Sequence, residues 1–522
     1  MIRHVGLIVG LEIHVELATR TKMFTRALSP AHASMLHAEP EPNTLIDATV
    51  LALPGSLPVM NRRAVELSIM VGRALNCAVA PFCKWDRKNY FYPDMPKAYQ
   101  VSQYDLPLCG EGYFDLPATD AAGFPDFAKP TTRVRIQRAH LEEDAGKLLH
   151  EAPGGHVIDH SIVDYNRAGT PLLEIVTHPD FSNADDVVLF AKCLRSLCLF
   201  LHATEGVMQK GHMRFEPNIN CELTLEDGSK VRTPVVEVKN LNSFKSLRGA
   251  IDFELADQPR RWLADRRVMG PGAKTTRGWD DTRSITFVQR EKEDAHDYRY
   301  FPDPDLLPVV VDAAWLSELA AAAPEPPLER MRRYTAEYGI AIKEAAQLAD
   351  DPAECDFYES VIFGLVSCGV PVPRAGKLAA NAVLGSLMKL ANEHGLRPST
   401  LGVSPLAVAA VAALREDGMI SNQAVEPLLS ALRGTPEPAS AMEGAEMVRA
   451  AAQSAGLLIE RDDGAMLAWI DQVLSANPKA VEDVKAGKLQ AAGKLVGDVM
   501  KLAAGKADAK GVREAILARI NG

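Results

Sequence analysis

Residues 6 to 17 alternate between apolar and polar side chains almost without interruption. Successive side chains of an extended backbone point to opposite faces, so this period of two predicts a half-buried β-strand. The core face of the strand is formed by its odd positions, Leu7, Val9, Leu11, Ile13, Val15 and Leu17. A sheet built on this strand carries Glu12, His14 and Glu16 on its other face.

This polar face has two interpretations. Glu12 and His14 are two residues apart, so their side chains lie about 6 to 7 Å apart, close enough to share one ligand or metal ion. Antiparallel sheets also commonly leave one face in water, in which case these residues contact solvent. Whether this is a binding face or a solvated face depends on whether other segments supply further ligand residues beside it.

The length and composition are typical of a modular globular protein. The 522 residues exceed what one core normally holds and predict about two to four domains. Hydrophobic residues make up 47% of the chain and charged residues 24%, without an apolar run that could span a bilayer. The N-terminus lacks a signal-peptide pattern. We therefore expect a cytoplasmic protein without a membrane segment.

The cysteines and the charge narrow the function classes. The eight cysteines include no C-x-x-C pair, which argues against zinc-ribbon and redox sites and predicts reduced, mostly buried thiols. A formal net charge of −11 argues against a generally cationic nucleic-acid binder. From Lys479 onward, however, nine Lys and Arg stand against five Asp and Glu. This basic tail either contacts a phosphate backbone or is a solvated helical face.

The character of the sequence changes near residue 310. Up to Pro308, short alternating segments separated by Gly, Pro, Asp and Asn predict strands and loops. Beyond Val311 the chain is rich in alanine and its periods are helical, with Pro-containing breaks at 321–327 and 433–440. We predict an α+β protein with domains at residues 1–310, 311–450 and 451–522.

The tail predicts a small helical bundle. Asn477 and Pro478 suit the N-cap and first position of a helix that Gly505 ends, and Asp508 suits the N-cap of another. The apolar faces of the two helices are formed by Leu489, Ala492, Val496, Val499 and Met500, and by Val512, Ile516 and Ile520.

Acidic residues recur in otherwise apolar or structured segments at 140–147, 170–176 and 213–220. Glu174 is the most informative, because it interrupts the apolar run L-L-E-I-V and a buried carboxylate is costly unless it is paired or bound to a cation. Four strands or loops that each supply a carboxylate, with one imidazole, suit Mg²⁺ or Mn²⁺, whereas zinc prefers more His or Cys.

Several long motifs carry a resemblance to a known family. They are G-L-E-I-H-V-E-L (10–17), R-K-N-Y-F-Y-P-D-M-P-K-A-Y-Q-V-S-Q-Y-D (87–105), H-L-E-E-D-A-G-K (140–147), Y-N-R-A-G-T-P-L-L-E-I-V (165–176), E-V-K-N-L-N-S-F (237–244), T-R-G-W-D (276–280), A-H-D-Y-R-Y-F-P-D-P-D (295–305) and A-N-P-K-A-V-E-D-V-K-A-G-K (476–488). Over essentially its whole length the chain resembles the B subunits of aspartyl/glutamyl-tRNA amidotransferases, which make Gln-tRNA and Asn-tRNA from mischarged precursors.

The resemblance implies a fold and a metal site. In that family a glutamine-synthetase-like cradle on an antiparallel sheet precedes an all-α helical domain and a small α-helical tail that contacts tRNA. His14, Glu143 and Glu174 are implied as ligands of a divalent ion, with Glu12 beside it and Glu216 as a second-site or outer ligand. Family members usually have Asp at the position of Glu216, and its extra methylene moves the carboxylate by roughly 1.3 Å, enough to exchange direct ligation for a water-mediated contact.

The implied activity is that of an ATP-dependent carbon–nitrogen ligase with glutamine as the amido donor. ATP phosphorylates the side-chain carboxylate of Glu-tRNA(Gln) or Asp-tRNA(Asn), and ammonia then displaces the phosphate. In the family a separate amidase polypeptide releases the ammonia, and a small belt polypeptide holds the heterotrimer together. The sequence agrees with that division, because it contains neither an amidase signature nor a Walker A motif.

Phosphoryl transfer requires cations around the transferred group, held by the protein or as metal ions. The candidates for phosphate binding are Arg87, Lys88, Lys97, Arg133 and Arg135, each of them alternatively an ion-paired surface residue. The expected catalytic residues are Glu12, Glu143 and Lys97. The aromatic residues Tyr90, Phe91, Tyr92 and Tyr99 either stack on a nucleotide or the tRNA terminus or form a hydrophobic wedge beside Pro93 and Pro96.

Two other function classes remain as alternatives. A non-catalytic tRNA-binding scaffold would bind tRNA without turning over ATP. A free-standing ligase of small metabolites would leave the basic tail without a role. Turnover of ATP that depends on tRNA separates the amidotransferase from both.

Overall fold

A computed structural model describes residues 1–152, 156–291, 298–459, 463–485, 490–503 and 509–521. Within it the chain divides into two compact units, Met1–Leu328 and Glu329–Gly522. The first unit is rich in strands and the second is helical, which confirms the predicted α+β class. Three residues named in the tail prediction, Leu489, Gly505 and Asp508, lie outside the described residues.

The first unit is built on a sheet that contains nine strands among the described residues. In spatial order they are β14 (Ile285–Glu291), β13 (Thr275–Asp280), β12 (Val236–Lys239), β10 (Met213–Leu225), β1 (Ile2–Glu16), β9 (Pro171–Thr177), β6 (Thr132–Glu143) and β5 (Gly112–Leu116), with β11 (Lys230–Arg232) beside β10. Each pair is antiparallel except β12 with β13. The predicted strand at residues 6–17 is therefore confirmed as part of β1 up to Glu16, near the centre of the sheet.

Three smaller sheets accompany the main one in the described part of the chain. They are formed by β15 (Phe301–Pro302), β3 (Asp86–Asn89) and β4 (Tyr99–Ser102), by β16 (Val309–Val310) and β2 (Phe82–Cys83), and by β7 (Lys147–Ala152) and β8 (His156–Asp164).

One face of the main sheet is covered by helices. These are α1 (Arg62–Ala74), α2 (Ala184–Phe200) and α3 (Phe244–Asp265), and α4 (Ala313–Ala322) contacts α1. Asn61, Asn183 and Ser243 start the first three by accepting hydrogen bonds from backbone N–H groups of the first turn. From Leu7 to Val15 the odd residues of β1 are buried in the core that these helices share, and each contributes about 1.5–3 kcal/mol through burial. The even residues of β1 therefore face the opposite side.

The second unit is a series of short helices. They are α5 (Pro327–Ala336), α6 (Ile342–Leu348), α7 (Pro352–Ser367), α8 (Val372–Asn381), a π-helical stretch (Ala382–Leu387), α9 (Met388–Glu393), α10 (Pro405–Glu416), α11 (Asn422–Ala431), α12 (Ala441–Ser454), α13 (Asp463–Ala476), α14 (Pro478–Lys485), α15 (Gln490–Ala503) and α16 (Ala509–Asn521). The last four share a core of their own that includes Ile470, Leu495 and Ile516.

The tail prediction needs one correction. A single continuous helix beginning at Pro478 is wrong, because α14 (Pro478–Lys485) and α15 (Gln490–Ala503) are separate helices that pack against each other. The predicted apolar positions Ala492, Val499 and Ile516 are nevertheless buried, so the bundle itself is confirmed.

Two further expectations concern cysteines and membranes. Seven of the eight cysteines are buried, Cys368 is exposed and all eight are free thiols, as predicted. Among the described residues, no helix has both the length and the apolar character needed to cross a membrane.

Candidate metal centre

The register of the central strands gathers acidic residues around His14. Glu12 on β1 lies directly opposite Glu216 on β10, and His14 lies directly opposite Glu174 on β9. Side chains at directly paired positions share one face of a sheet. These four residues therefore meet on the face of the sheet opposite the helices.

A bulge in β6 adds two further side chains to this face. The pairing of β6 with β9 shifts by one residue between Ile136 and Arg138, which is the signature of a bulge. Before the shift the even residue Ile136 points into the core, and after it the odd residues do. His140, opposite Glu174, and Glu142 consequently face the His14 side.

The distances define one compact cluster. His14 Nε2 lies 3.5 Å from a Glu174 oxygen and 3.9 Å from oxygens of Glu12 and Glu142, and His14 Nδ1 lies 4.0 Å from Glu216 Oε1. Two sets of ligand atoms each lie within 4.8 Å of one another: His14, Glu142 and Glu174, and Glu12, His14 and Glu216. We call these five residues the metal centre.

The pKa values of residues in the metal centre reflect an excess of negative charge. Burial raises the pKa of Glu142 to about 7, and burial together with the charge of Glu174 raises the pKa of Glu12. Burial alone would lower the pKa of His14, but its contact with Glu174 and the charges of Glu216 and Glu174 raise it to about 9. The charges of His140 and His14, by contrast, lower the pKa of Glu174 although burial opposes this. A carboxylate held ionised beside two that resist ionisation fits a bound cation.

The donor set fits a hard divalent ion. Four of the five residues offer carboxylate oxygens, the ligands that Mg²⁺ and Mn²⁺ prefer. His14 Nδ1 is buried and has no hydrogen-bond partner, so it is available as the single nitrogen ligand. The alternative of a solvated polar face does not fit Glu142, Glu174 and His140, which are all buried.

Glu143, predicted as a metal ligand, lies elsewhere. Its carboxylate accepts hydrogen bonds from Lys97 and, at 2.9 Å, from the backbone N–H of Val101. Because adjacent strand residues point to opposite faces, Glu142 rather than Glu143 enters the metal centre. Lys97 and Glu143 instead line a cavity of about 290 Å³, together with Phe24, Met95 and Tyr99.

Glu216, predicted as a second-site or outer ligand, lies beside Glu12 and His14. It belongs to the second set of ligand atoms, and its other oxygen is bound by Lys239 on β12. Lys239 also lies 3.1 Å from Glu237. The lysine therefore orients the Glu216 carboxylate.

The predicted phosphate-binding cations are divided between two environments. Lys88 is near the metal centre: although burial opposes it, the Glu142 carboxylate raises the pKa of Lys88. Lys88 Nζ also lies 5.2 Å from the ring centre of Tyr298. Arg87 instead binds Asp303 and Asp305, at 2.7 and 3.0 Å, which corresponds to the ion-paired alternative.

Arg133 and Arg135 are not brought to the metal centre. They pair with Asp115 and Asp180 on an exposed part of β6. Seven to nine residues separate them from Glu142 along the strand, or roughly 20 to 30 Å. Their predicted role in phosphate binding therefore has no support from their position.

The aromatic residues of the motif at 87–105 leave both interpretations open. The rings of Tyr90 and Tyr92 lie 5.9 Å apart, and Phe91 and Tyr92 are exposed. Tyr99 packs against Arg87 in a cation–π contact at 4.3 Å.

Sequence reasoning missed His140, Glu142 and Lys239 as members or neighbours of the metal centre. His140 and Glu142 repeat, in reverse order, the spacing of Glu12 and His14, and that signal lay within the motif already singled out. The bulge that places them on the correct face leaves no comparable mark in the sequence.

Comparison with known proteins gives consistent matches. The family model described as the GatB/GatE catalytic domain matches residues 7–317, and the one described as the GatB domain matches residues 372–520. The chain is 41% identical to the B subunit of the aspartyl/glutamyl-tRNA(Asn/Gln) amidotransferase of Kineococcus radiotolerans, with 98% of this chain and 96% of the relative aligned. It is 39% identical to the B subunit from Thermomicrobium roseum, with 96% and 95% aligned, and 37% identical to that from Rhodopirellula baltica, with 95% and 93% aligned.

Proposed function

The chain belongs to the family of aspartyl/glutamyl-tRNA(Asn/Gln) amidotransferase B subunits, and from that premise we propose that it phosphorylates the side-chain carboxylate of Glu-tRNA(Gln) or Asp-tRNA(Asn) with ATP and amidates it with ammonia. The observation that carries the proposal is the cluster of four carboxylates around His14, of which Glu142 and Glu174 are buried and Glu12 and Glu216 half-buried. A scaffold that only binds tRNA has no need of such a cluster, because buried carboxylates are costly unless they are paired.

The metal centre would hold Mg²⁺ or Mn²⁺. His14, Glu142 and Glu174 form one set of ligands, and Glu12 and Glu216 with His14 form a second. When bound, a divalent ion neutralises phosphate oxygens of ATP and of the phosphoryl group in transfer. Lys239 holds Glu216 in place through a direct ion pair.

The chain's own cations complete the phosphate environment. Lys88 remains protonated beside Glu142, so its ammonium group binds phosphate oxygens and opposes their charge during transfer. Arg87 does not contact phosphate directly in this proposal, because its guanidinium is paired with Asp303 and Asp305. Its role is to fix the end of β3 on which Lys88 lies.

We assign the amidation step to the pair of Lys97 and Glu143. Both line the cavity of about 290 Å³, which is large enough for ammonia. The Glu143 carboxylate accepts a proton as the nitrogen attacks the acyl phosphate, and Lys97 stabilises that carboxylate until then. The C–N bond forms as the C–O bond to phosphate breaks, and phosphate leaves with the electron pair.

The ammonia would come from a partner amidase that hydrolyses glutamine, with a small belt polypeptide completing a heterotrimer. The sequence contains no amidase signature. Free ammonia becomes protonated in water and is then no longer a nucleophile, so a bound partner would deliver it directly to the acyl phosphate. The first unit would then be the glutamine-synthetase-like cradle, and the basic tail would contact tRNA. The protein would act in the cytoplasm.

The test is conversion of Glu-tRNA to Gln-tRNA by the chain co-expressed with candidate amidase and belt polypeptides, supplied with ATP, Mg²⁺ and ammonium. Conversion should require ATP and fall by about a hundredfold to a thousandfold in Glu174→Ala, since loss of a transition-state charge contact costs that much. Glu222→Gln is the matched control, because Glu222 lies on β10 beside Lys230 and Arg232, away from the metal centre.

Two results would contradict the proposal. If wild-type protein binds tRNA but neither converts it nor turns over ATP, the scaffold alternative is correct. If ATP turnover proceeds equally without tRNA, the free-standing ligase is favoured.

A further inference from the structure

A second cavity, of about 230 Å³, lies on the opposite face of the main sheet from the metal centre. Its walls are the C-terminal half of α3 and the strands β12, β13 and β14. Lys239 pairs with both Glu216 of the metal centre and Glu237, so the Glu237 side chain lies on the metal-centre side of β12. Val236 precedes Glu237 in the strand and lines the cavity. Its side chain therefore points to the opposite face of the sheet. The cavity is therefore separate from the proposed active site.

Three arginines, Arg261, Arg267 and Arg277, line this cavity together with one exposed carboxylate, that of Asp265. Arg261 and Arg277 share the carboxylate of the fully buried Glu254. That carboxylate also accepts hydrogen bonds from Gln258 and Thr286, so four side chains share its two oxygen atoms. Burial, and after it the nearby charge of Arg261, lower the pKa of Arg277, against the opposing charges of Glu254 and Asp257.

Two nitrogen donors at the cavity have no hydrogen-bond acceptor. Trp262 is 6% exposed, and its Nε1 has no partner. Arg261 Nη1 is buried and also makes no hydrogen bond, although Asp257 lies 3.2 Å away as an ion-pair partner. Buried donors are normally satisfied by an acceptor. The indole N–H of Trp262 is therefore a buried donor without an acceptor in an arginine-lined cavity, which indicates a ligand with acceptor oxygens.

We propose that this cavity binds a phosphate group. Guanidinium groups present their donors in a planar fork that matches phosphate oxygens, and the cavity is large enough for one phosphate with part of an attached sugar. The phosphate belongs either to the backbone of tRNA or to a free phosphate ion. The shared chemistry is an oxyanion held by Arg261, Arg267 and the indole N–H of Trp262.

The experiment is titration of the full chain, in complex with its partner polypeptides and stripped of metal by a chelator, with inorganic phosphate at low ionic strength. Calorimetry should report saturable binding that weakens about tenfold in Arg261→Gln, which removes a charged donor. Arg267→Gln should weaken phosphate binding by roughly threefold or more. The Arg267 side chain is exposed, so this variant should fold even if Arg261→Gln fails to fold. The matched control is Arg260→Gln, an exposed arginine of α3 that does not line the cavity.

A second arm identifies the source of the phosphate. If tRNA displaces the bound phosphate and binds more weakly to Arg267→Gln, the ligand is the RNA backbone. If tRNA affinity is the same in Arg267→Gln and the wild type while phosphate binding is reduced, the ligand is free phosphate.

Absence of saturable phosphate binding, or equal affinities in Arg267→Gln, Arg261→Gln and Arg260→Gln, would overturn the proposal. The measurement uses neither ATP nor an aminoacylated substrate. Its failure would therefore leave the proposed amidotransferase function untouched, and the reverse also holds.

Discussion

Glu142 and Glu143 are adjacent, chemically identical and assigned to different environments by the strand on which they lie. Glu142 belongs to a set of ligand atoms with His14 and Glu174, whereas Glu143 binds Lys97 beside a cavity. The distinction depends on the pleat of β6, which directs consecutive side chains to opposite faces. The pair therefore offers a sensitive test of the metal centre.

We expect Glu142→Gln to weaken Mn²⁺ binding by at least about tenfold, because even substitutions beyond the direct ligands of a metal commonly have effects of that size. Glu143→Gln should change the affinity by less than about threefold. Electron paramagnetic resonance of free Mn²⁺ measures both in the assembled complex. A larger loss in Glu143→Gln than in Glu142→Gln would return Glu143 to the ligand set.

His212 provides a second prediction, on stability rather than activity. It is 5% exposed, its Nδ1 has no hydrogen-bond partner, and burial lowers its pKa to about 4. An unfolded histidine titrates near 6.5. Between about pH 6.5 and 4 the histidine takes up a proton in the unfolded chain but not in the folded chain. Its contribution to the free energy of unfolding therefore decreases as the pH falls.

The variant His212→Gln should therefore lose less stability than the wild type as the pH falls from 7 to 5. Urea denaturation at each pH measures the free energies of unfolding. The same replacement at His156, which is exposed, should leave the pH dependence unchanged. A constant difference between His212→Gln and the wild type at every pH would contradict the prediction.

The helices of the second unit contain glycines in two contrasting positions. A Cβ added at Gly376 in α8 would lie 2.4 Å from the Cβ of Tyr338 and 2.9 Å from its backbone oxygen. A Cβ added at Gly497 in α15 would meet no atom within 4 Å. The first glycine is required by a close approach of chain segments, whereas the second is only a weak helix former.

Gly376→Ala should thus destabilise the second unit by about 1–3 kcal/mol, the usual cost of overpacking. Gly497→Ala should stabilise it by about 0.5–1 kcal/mol, because alanine loses less backbone entropy on folding. Differential scanning calorimetry should show melting temperatures that move in opposite directions. Shifts of the same sign would mean that packing around Gly376 relaxes freely.

The four tail helices form one cooperative piece, and this determines how the tail should be removed. Ile470 and Val473 of α13 lie in the same core as residues of α15 and α16. A cut after Ser475 would leave the apolar face of α13 uncovered. A cut after Ile459, whose backbone N–H bonds Met419, removes the complete bundle.

We expect this truncation to raise the KM for tRNA by roughly tenfold with little change in kcat, because phosphate contacts supply much of nucleic-acid affinity. The salt dependence of tRNA binding should also become shallower. Replacement of the exposed Lys494 and Lys501 by Gln keeps the bundle and should reproduce part of the effect. An unchanged KM in the truncated protein would show that the basic tail is a solvated face.

The sequence by itself determined the features that depend on local periodicity. The alternation at residues 6–17 specified β1 and its buried face, since a period of two has one structural solution. The change of texture near residue 310 separated a strand-rich part from a helical one. The family motifs added His14, Glu174, Glu12 and Glu216, which the strand register brings together.

The tertiary structure decided what depends on register and pairing between distant segments. The bulge in β6 selected Glu142 over Glu143, because a one-residue shift exchanges the two faces of a strand. Asp303 engaged Arg87 across more than two hundred residues of chain, and Asp180 engaged Arg135. Such contacts arise only when the sheet closes, so no local pattern in the sequence can encode which cations remain beside the metal centre.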